Sequence, residues 1–345
     1  MRLVFRSVNH DVSVSARLGR WLGVAFALCF LTGLASHAVQ HTELPWPTRP
    51  VGLYRVTQGV HVLSGVAAVP LLLAKLWSVY PKLFERPRLR TLPERGAVLV
   101  LIAAAFFELV TGGFNVAKSY PWSFFFPTAH YAVAWILAGG LLVHIGLRLP
   151  AIHTGLATPV DPRRRAFLRT TGLAAGAALL ATAGGTVPLL RRVSLLAWRS
   201  PTGVPVNRTA AAAGISIGPD WRLTVGSAAF TYADLLALPQ HTATLPIACV
   251  EGWSASATWS GVRVRDLLAA AGVPVHRPVR VISLDEGRYG RSTLPTAHVN
   301  DPLTLLALRM NGRVLSPDHG YPCRLITASR PGVLQTKWVS RIEAA

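Results

Sequence analysis

The chain has 345 residues, of which 51% are hydrophobic and 14% charged, and its mean hydropathy is +0.39. Soluble domains carry about a quarter charged residues, so a wholly water-borne globule is excluded and much of the chain is expected in lipid. The net charge of +20 does not point to nucleic acid, because the arginines gather at the ends of apolar segments rather than along one face.

Four stretches, 21–40, 57–79, 97–113 and 131–149, are long enough to span about 30 Å of hydrocarbon at about 1.5 Å per residue. A fifth, 172–190, is richer in Ala and Gly. Lys and Arg in the short loops set the expected orientation. Arg2, Arg6, Arg17 and Arg20 precede the first segment; Lys82, Arg86, Arg88, Arg90 and Arg95 follow the second; Arg148, Arg163, Arg164, Arg165 and Arg169 follow the fourth. The opposite loops hold Arg49, Arg55 and Lys118, with Trp46, Trp122 and Phe124 to Phe126 suited to a lipid interface. The expectation is a multi-pass cell-membrane protein with a cytoplasmic N-terminus and everything beyond about residue 191 outside. Arg191, Arg192 and Arg199 run against the rule.

The run Arg163-Arg164-Arg165-Ala166-Phe167-Leu168-Arg169 resembles a twin-arginine export signal. Such signals are receptor-read addresses, and the resemblance implies the twin-arginine export machinery as a partner, which moves domains already folded around a cofactor. An ordinary basic membrane flank explains the arginines but not Phe167-Leu168.

Histidine inside a membrane is a functional hypothesis by default. His130 and His144 stand fourteen residues apart on one helix face, roughly 21 Å along the axis. His61 lies at the same expected depth as His130, and the two would supply axial nitrogens to a b-type haem. The arrangement resembles the di-haem cytochrome b subunits of formate dehydrogenases and nickel–iron hydrogenases, whose first helix opens Arg-x-x-His-Trp. Here the first segment opens Arg17-Leu18-Gly19-Arg20-Trp21, so Arg20 replaces the partner of His144 and a second haem is in question. Lys75, His144 and Arg20 are alternatively a site for a quinone headgroup or for haem propionates. His37 and His41 are spare candidates, read as polar interface residues.

From about residue 200 short mixed runs take over. Strands are expected at 221–225, 244–249, 279–284 and 323–329, and helices at 264–271 and at Asp234-Leu-Leu-Ala, with turns at Asn311-Gly312 and Asp318-His319-Gly320. That mixture predicts an α+β domain. The expected division is 1–155, a four-helix cytochrome b-like transmembrane bundle; 156–200, the signal-like run and fifth helix; and 201–345, an extracytoplasmic oxidoreductase domain.

With only Cys29, Cys249 and Cys323, no disulfide framework is expected. Taken alone, Cys249 reads as a small buried hydrophobe. Its surroundings change that. Cys249-Val-Glu251-Gly-Trp253-Ser, then Trp259-Ser-Gly261, then Ser316-Pro-Asp-His319-Gly-Tyr-Pro-Cys-Arg324 and Lys337-Trp-Val-Ser-Arg341 resemble, in order, the sulfite oxidase-like molybdopterin family. The likeness is greatest to the periplasmic methionine sulfoxide reductase catalytic subunit. It implies the sulfite oxidase molybdopterin fold, a molybdenum–molybdopterin cofactor ligated by Cys249, and cofactor contacts from Asn207, Trp253, His319, Arg324, Gln335, Thr336 and Lys337, with Glu251 as a catalytic neighbour. Two departures bear on substrate: His319 stands where the reductase has Asn, and the immunoglobulin-like domain of sulfite oxidases is not expected here. The function expected is molybdenum-dependent oxygen-atom transfer on a sulfoxide- or sulfite-like small molecule, with electrons exchanged through haem and quinone and the reductase direction favoured. The rival readings are sulfite oxidation, a catalytically silent membrane-anchored sensor module, and a cytochrome acting as electron carrier alone.

Overall fold

The computed structural model describes residues 7–41, 45–85, 92–200 and 203–345; Arg2, Arg6, Arg86, Arg88 and Arg90, used above for orientation, lie outside them. The N-terminal part is helical: α1 Val12–His41, α2 Leu53–Leu83, α3 Leu92–Val116, α4 Phe126–Ala157 and α5 Pro162–Thr182. All five are long and apolar enough to cross a membrane. The first four run past their expected bounds at both ends, because polar helix formers and caps extend an apolar core, whereas α5 starts early and stops at Thr182, short of the expected 190. Asp11 accepts from Ser13 N at 2.8 Å before α1, and Asp161 accepts from Arg163 N at 2.8 Å with Pro162 opening α5. Helix α5 therefore begins ten residues before the expected 172, and the whole basic run lies within its first turns.

The chain packs as two compact units. One comprises residues up to Ala35, Gly59–Gly185 and Leu189–Ala197; the other comprises Ser36–Gln58, Thr186–Pro188 and Trp198–Ala345. In the first, Leu22, Phe26, Ala68, Leu72, Ala104 and Leu137 form one core, the small residues letting helices approach. A second cluster sets Val14, Leu18 and Ala74 against Phe167 and Leu168. Gly155 admits α1 so closely that a Cβ there would stand 2.7 Å from the Val12 carbonyl oxygen. Beside it Arg17 donates to the carbonyls of Gly155, Leu156 and Thr158 at 2.9, 3.2 and 3.0 Å. It thus caps the otherwise unpaired C-terminal carbonyls of α4.

The second unit holds ten strands and three short helices: β1 Leu223–Val225, β2 Ala228–Phe230, α6 Tyr232–Ala237, β3 Gln240–Ala248, β4 Ser254–Arg263, α7 Val264–Ala270, β5 Val279–Ser283, β6 Arg291–Leu294, α8 Thr296–Val299, β7 Leu305–Met310, β8 Arg313–Val314, β9 Arg324–Ile326 and β10 Val339–Ala344. One sheet has the order β2-β1-β10-β5-β6 and the other β3-β4-β7-β8, with β9 also on β7. Only β1 and β10 run parallel. This is the α+β arrangement expected. Strand β3 starts earlier than 244, and β9 is shorter than 323–329 because Thr327 to Ser329 leave the ladder. Strand β4 was not expected, since its Ser, Gly and Trp content hides the alternation; yet its partner register runs unbroken from Gln240↔Val262 to Ala248↔Ser254.

At the β4–β7 bulge, a Cβ on Gly261 would fall 2.1 Å from the Leu306 carbonyl oxygen, which no side-chain rotation relieves. Gly261→Ala is expected to destabilise the C-terminal unit by about 3 kcal/mol, seen as a lowered midpoint in denaturant unfolding of the full chain.

Candidate active site

Strands β3 and β4 are joined by 249–253, a tight connection in which Cys249 N–H donates to Trp253 O at 2.9 Å and Gly252 N–H to Cys249 O at 3.0 Å. Gly252 takes φ +87°, the left-handed region that glycine tolerates. Cys249 is held at the strand end, 1% exposed. The Asn207 amide lies 4.0 Å from its Sγ. Glu251 accepts from Trp253 Nε1 at 3.0 Å, which fixes the indole, and Trp198 packs edge-on against that ring with centroids 6.1 Å apart.

A parallel bridge between Ala248 and Pro331 brings the 331–337 segment alongside; a Cβ on Gly332 would stand 3.8 Å from Cys249 Cα. Ser316 caps the turn Pro317–His319, and Gly320 follows at φ +107°, with Lys337 and Arg324 packed against it. Arg324 is buried, donates to the carbonyls of His319 at 3.0 Å and Gln335 at 3.2 Å, and lies 5.2 Å over the Trp259 ring. Burial pushes its guanidinium down to about 9. Lys337 donates to the carbonyls of Arg208 at 2.5 Å and Asp318 at 3.1 Å. Burial, reinforced by Arg324, lowers its amine to about 7. His319 accepts from Ser316 Oγ at Nδ1 (2.7 Å) and donates from Nε2 to Val204 O (3.2 Å), and burial lowers its pKa below the ordinary imidazole value. A cavity of about 320 Å³ opens beside it, lined by Trp198, Arg199, Ser200, Ser316 and Asp318 among others.

These residues fit an anionic, hydrogen-bonding group. Among the described residues Arg324 Nε and Gln335 Oε1 are buried with no hydrogen-bond partner, one donor and one acceptor left for a bound group. Gln335 is anchored by its own Nε2 on Arg330 O at 3.0 Å. The Thr336 hydroxyl shares a hydrogen bond with Ser292 Oγ at 2.7 Å. Sequence reasoning passed over Tyr289, whose phenol is raised by burial and then by the charges of Cys249 and Glu251 nearby, with Arg288 opposing. It also passed over the α1–α2 connection. There Gln58 Nε2 donates to Val250 O at 3.0 Å, Trp46 Nε1 to Ser329 O at 2.5 Å, and Arg49 pairs with Asp301 at 2.6 Å.

In the helical unit, His61 and His130 face each other with ring centroids 6.2 Å apart. His61 Nδ1 donates to Cys29 O at 2.9 Å, and His130 Nδ1 lies 3.1 Å from Thr111 Oγ1. Their separation suits two imidazoles on one iron, each nitrogen about 2 Å from the metal. Glu108, which the sequence reading passed over, stands 3.0 Å from His130 Nε2, the nitrogen an iron would take. His144 lies within electrostatic reach of Lys75 and Arg148. Lys75 itself donates to Ser15 O at 2.8 Å and Oγ at 2.6 Å, and the Arg20 guanidinium lies 5.4 Å over Trp21. The His37 and His41 rings are 4.7 Å apart. Among the described residues no group of three or more His, Cys, Asp or Glu is arranged around a metal ion.

Residues 210–345 match the family profile of the oxidoreductase molybdopterin binding domain. Its relatives include sulfite oxidases: the mitochondrial enzyme of Drosophila melanogaster is 35% identical over 33% of this chain and 25% of its own length. The uncharacterized oxidoreductase YuiH of Bacillus subtilis (strain 168) is 31% identical over 33% of this chain and 57% of its own length. The chain thus spans a quarter to just over half of these relatives. Among solved structures, the sulfane dehydrogenase SoxCD from Paracoccus pantotrophus aligns at 25% identity over 43% of this chain and 48% of that one, with a TM-score of 0.35.

The Lys337 amine is free to report on the cradle. Its folded value near 7 lies below the free value of 10.5, so between these limits the unfolded chain binds the extra proton and stability rises with pH. Cofactor-free protein is expected to melt at higher temperature at roughly pH 8 than at roughly pH 6.5, and Lys337→Met should flatten that slope in this range, where Arg324, at about 9, is still mostly protonated.

Proposed function

We propose that the chain is a membrane-anchored molybdopterin-dependent oxidoreductase acting outside the membrane on a small oxygen-bearing substrate, a sulfoxide or sulfite. The observation that carries this is a buried thiol, Cys249, in a domain of the matching class whose Arg324 Nε and Gln335 Oε1 are buried with no hydrogen-bond partner among the described residues. When bound, the molybdenum–pterin group supplies two-electron oxygen-atom chemistry. Cys249 Sγ, as thiolate, would hold the metal, a soft ligand for a soft site. Asn207 orients that sulfur; Arg324, Lys337 and Gln335 meet the pterin and its phosphate; His319 and Trp253 wall the pocket. Tyr289 and Arg288 hold the substrate's oxygen by hydrogen bonds, and Glu251, tied to Trp253, is the acid–base group. The relatives named sulfite oxidase favour the oxidising direction, the Cys249 motif the reducing one.

In this reading His61 and His130 would hold one haem b, which would supply one-electron chemistry and requires Glu108 to give up its contact with His130 Nε2, and Lys75, His144 and Arg20 would hold a quinone headgroup. His144 is the ligand available to a second haem. The lipid bilayer is the anchor, and the Arg163–Arg169 run addresses the chain to the twin-arginine export machinery. The Glu108–His130 contact favours a second reading of the bundle, a polar cluster without iron.

Cys249→Ser is expected to lower turnover below about a thousandth, roughly 4 kcal/mol of barrier, while haem absorbance stays; retained turnover, or native protein purified without molybdenum, overturns the enzyme reading. His130→Ala should remove the Soret band and leave molybdenum content unchanged. A wild-type protein with no Soret band selects the iron-free reading.

A further inference from the structure

Past α5 the chain doubles back on itself. Ser194 Oγ donates to Leu180 O at 2.7 Å and accepts from Gly184 N–H at 2.8 Å, while Leu196 N–H donates to Ala181 O at 2.8 Å. A Cβ on Gly184 would stand 2.6 Å from Arg191 Cα and 2.8 Å from Leu190 O, so only glycine permits this return. The segment is built, not a loose tail. Yet it presents Leu189, Val193, Leu195 and Leu196 outward at 92%, 66%, 83% and 74% exposure. Leu142 and Leu99, within the spans, are 71% and 63% exposed. Arg192 is exposed among these side chains, and no Asp or Glu occurs between Asp161 and Asp220.

We propose that residues 189–196 are an interfacial anchor, the four apolar side chains dipping into the lipid leaflet at the end of α5 while Arg191 and Arg192 meet anionic lipid phosphates. An ordered apolar patch flanked by cations, with no acidic residue in the chain between Asp161 and Asp220, has the chemistry of a monotopic membrane element. It also gives Arg191 and Arg192 a place against the positive-inside rule, since headgroup phosphates are found on both faces. The inference rests on the membrane reading above.

The test places a nitroxide at Leu195→Cys in the full chain, in vesicles of phosphatidylcholine with phosphatidylglycerol, and compares its collisions with oxygen and with a water-soluble nickel chelate. Leu142→Cys in α4 and Leu236→Cys in α6 serve as lipid and water references, and unsubstituted protein sets the background from native cysteines. The Leu195 label is expected to follow Leu142, with oxygen collisions several-fold above those of Leu236. Adding Arg192→Gln should abolish any difference in depth between vesicles with and without phosphatidylglycerol. A Leu195 label that follows Leu236 overturns the anchor. One shielded from both reagents also overturns it, because a protein partner or a second copy then covers the patch. If Leu142 itself reads as water-exposed, the membrane reading falls first.

Discussion

Arg324 and Arg330 are buried and Lys337 is half-buried, and all three donate to backbone carbonyls rather than carboxylates. Burying an unpaired cation costs several kcal/mol, and the protein shows that cost as guanidinium and amine values pushed down to about 9, 10 and 7. Two remedies exist: loss of a proton, easy for Lys337 and hard for an arginine, or arrival of an anion. In the proposed reading a thiolate at Cys249 and a phosphate-bearing group would supply that anion together. The tight 249–253 turn, the Gly320 approach and the Ala248–Pro331 bridge can be read as the framework that keeps this positive cradle closed until it is filled.

The helical unit solves the opposite problem, keeping polar groups in an apolar bundle. Each imidazole settles one nitrogen on the protein, His61 on Cys29 O and His130 on Thr111. Because the Thr111 hydroxyl is already spent on Phe107 O at 2.6 Å, His130 Nδ1 is the donor. Nε2 then meets Glu108 through a shared proton, and Glu108 Oε1 has no partner. Iron at Nε2 would dispense with that proton, so metal binding and proton release are linked at this pair.

Much of this was legible in the sequence. Apolar length predicted five helices, and the ordered motifs around Cys249, His319 and Lys337 predicted which loops converge. What escaped did so for physical reasons. Strand β4 carries Trp, Ser and Gly where a period-two pattern would need aliphatic residues. Gln58 and Trp46 reach the Cys249 turn only through tertiary packing, which no local pattern encodes. Tyr289 sits in a loop whose Gly290 would place a Cβ 1.8 Å from Asp285 O; that constraint is invisible until the backbone is folded. Glu108 did carry a signal, a carboxylate inside an apolar span, but the histidines drew the reading away from it.

The basic run at the head of α5 shows how one segment satisfies two demands. Phe167 and Leu168, the pair that sets it apart from an ordinary flank, are packed against Val14 and Leu18. Arg164 pairs with Asp11 at 3.1 Å and donates to Val8 O at 3.0 Å, and Asp161 caps the helix. A segment bonded this way into α1 cannot be cut away without uncovering the bundle's own core. If it is read by an export receptor, it is therefore read before α1 and α5 pair, and afterwards it stays as a structural helix.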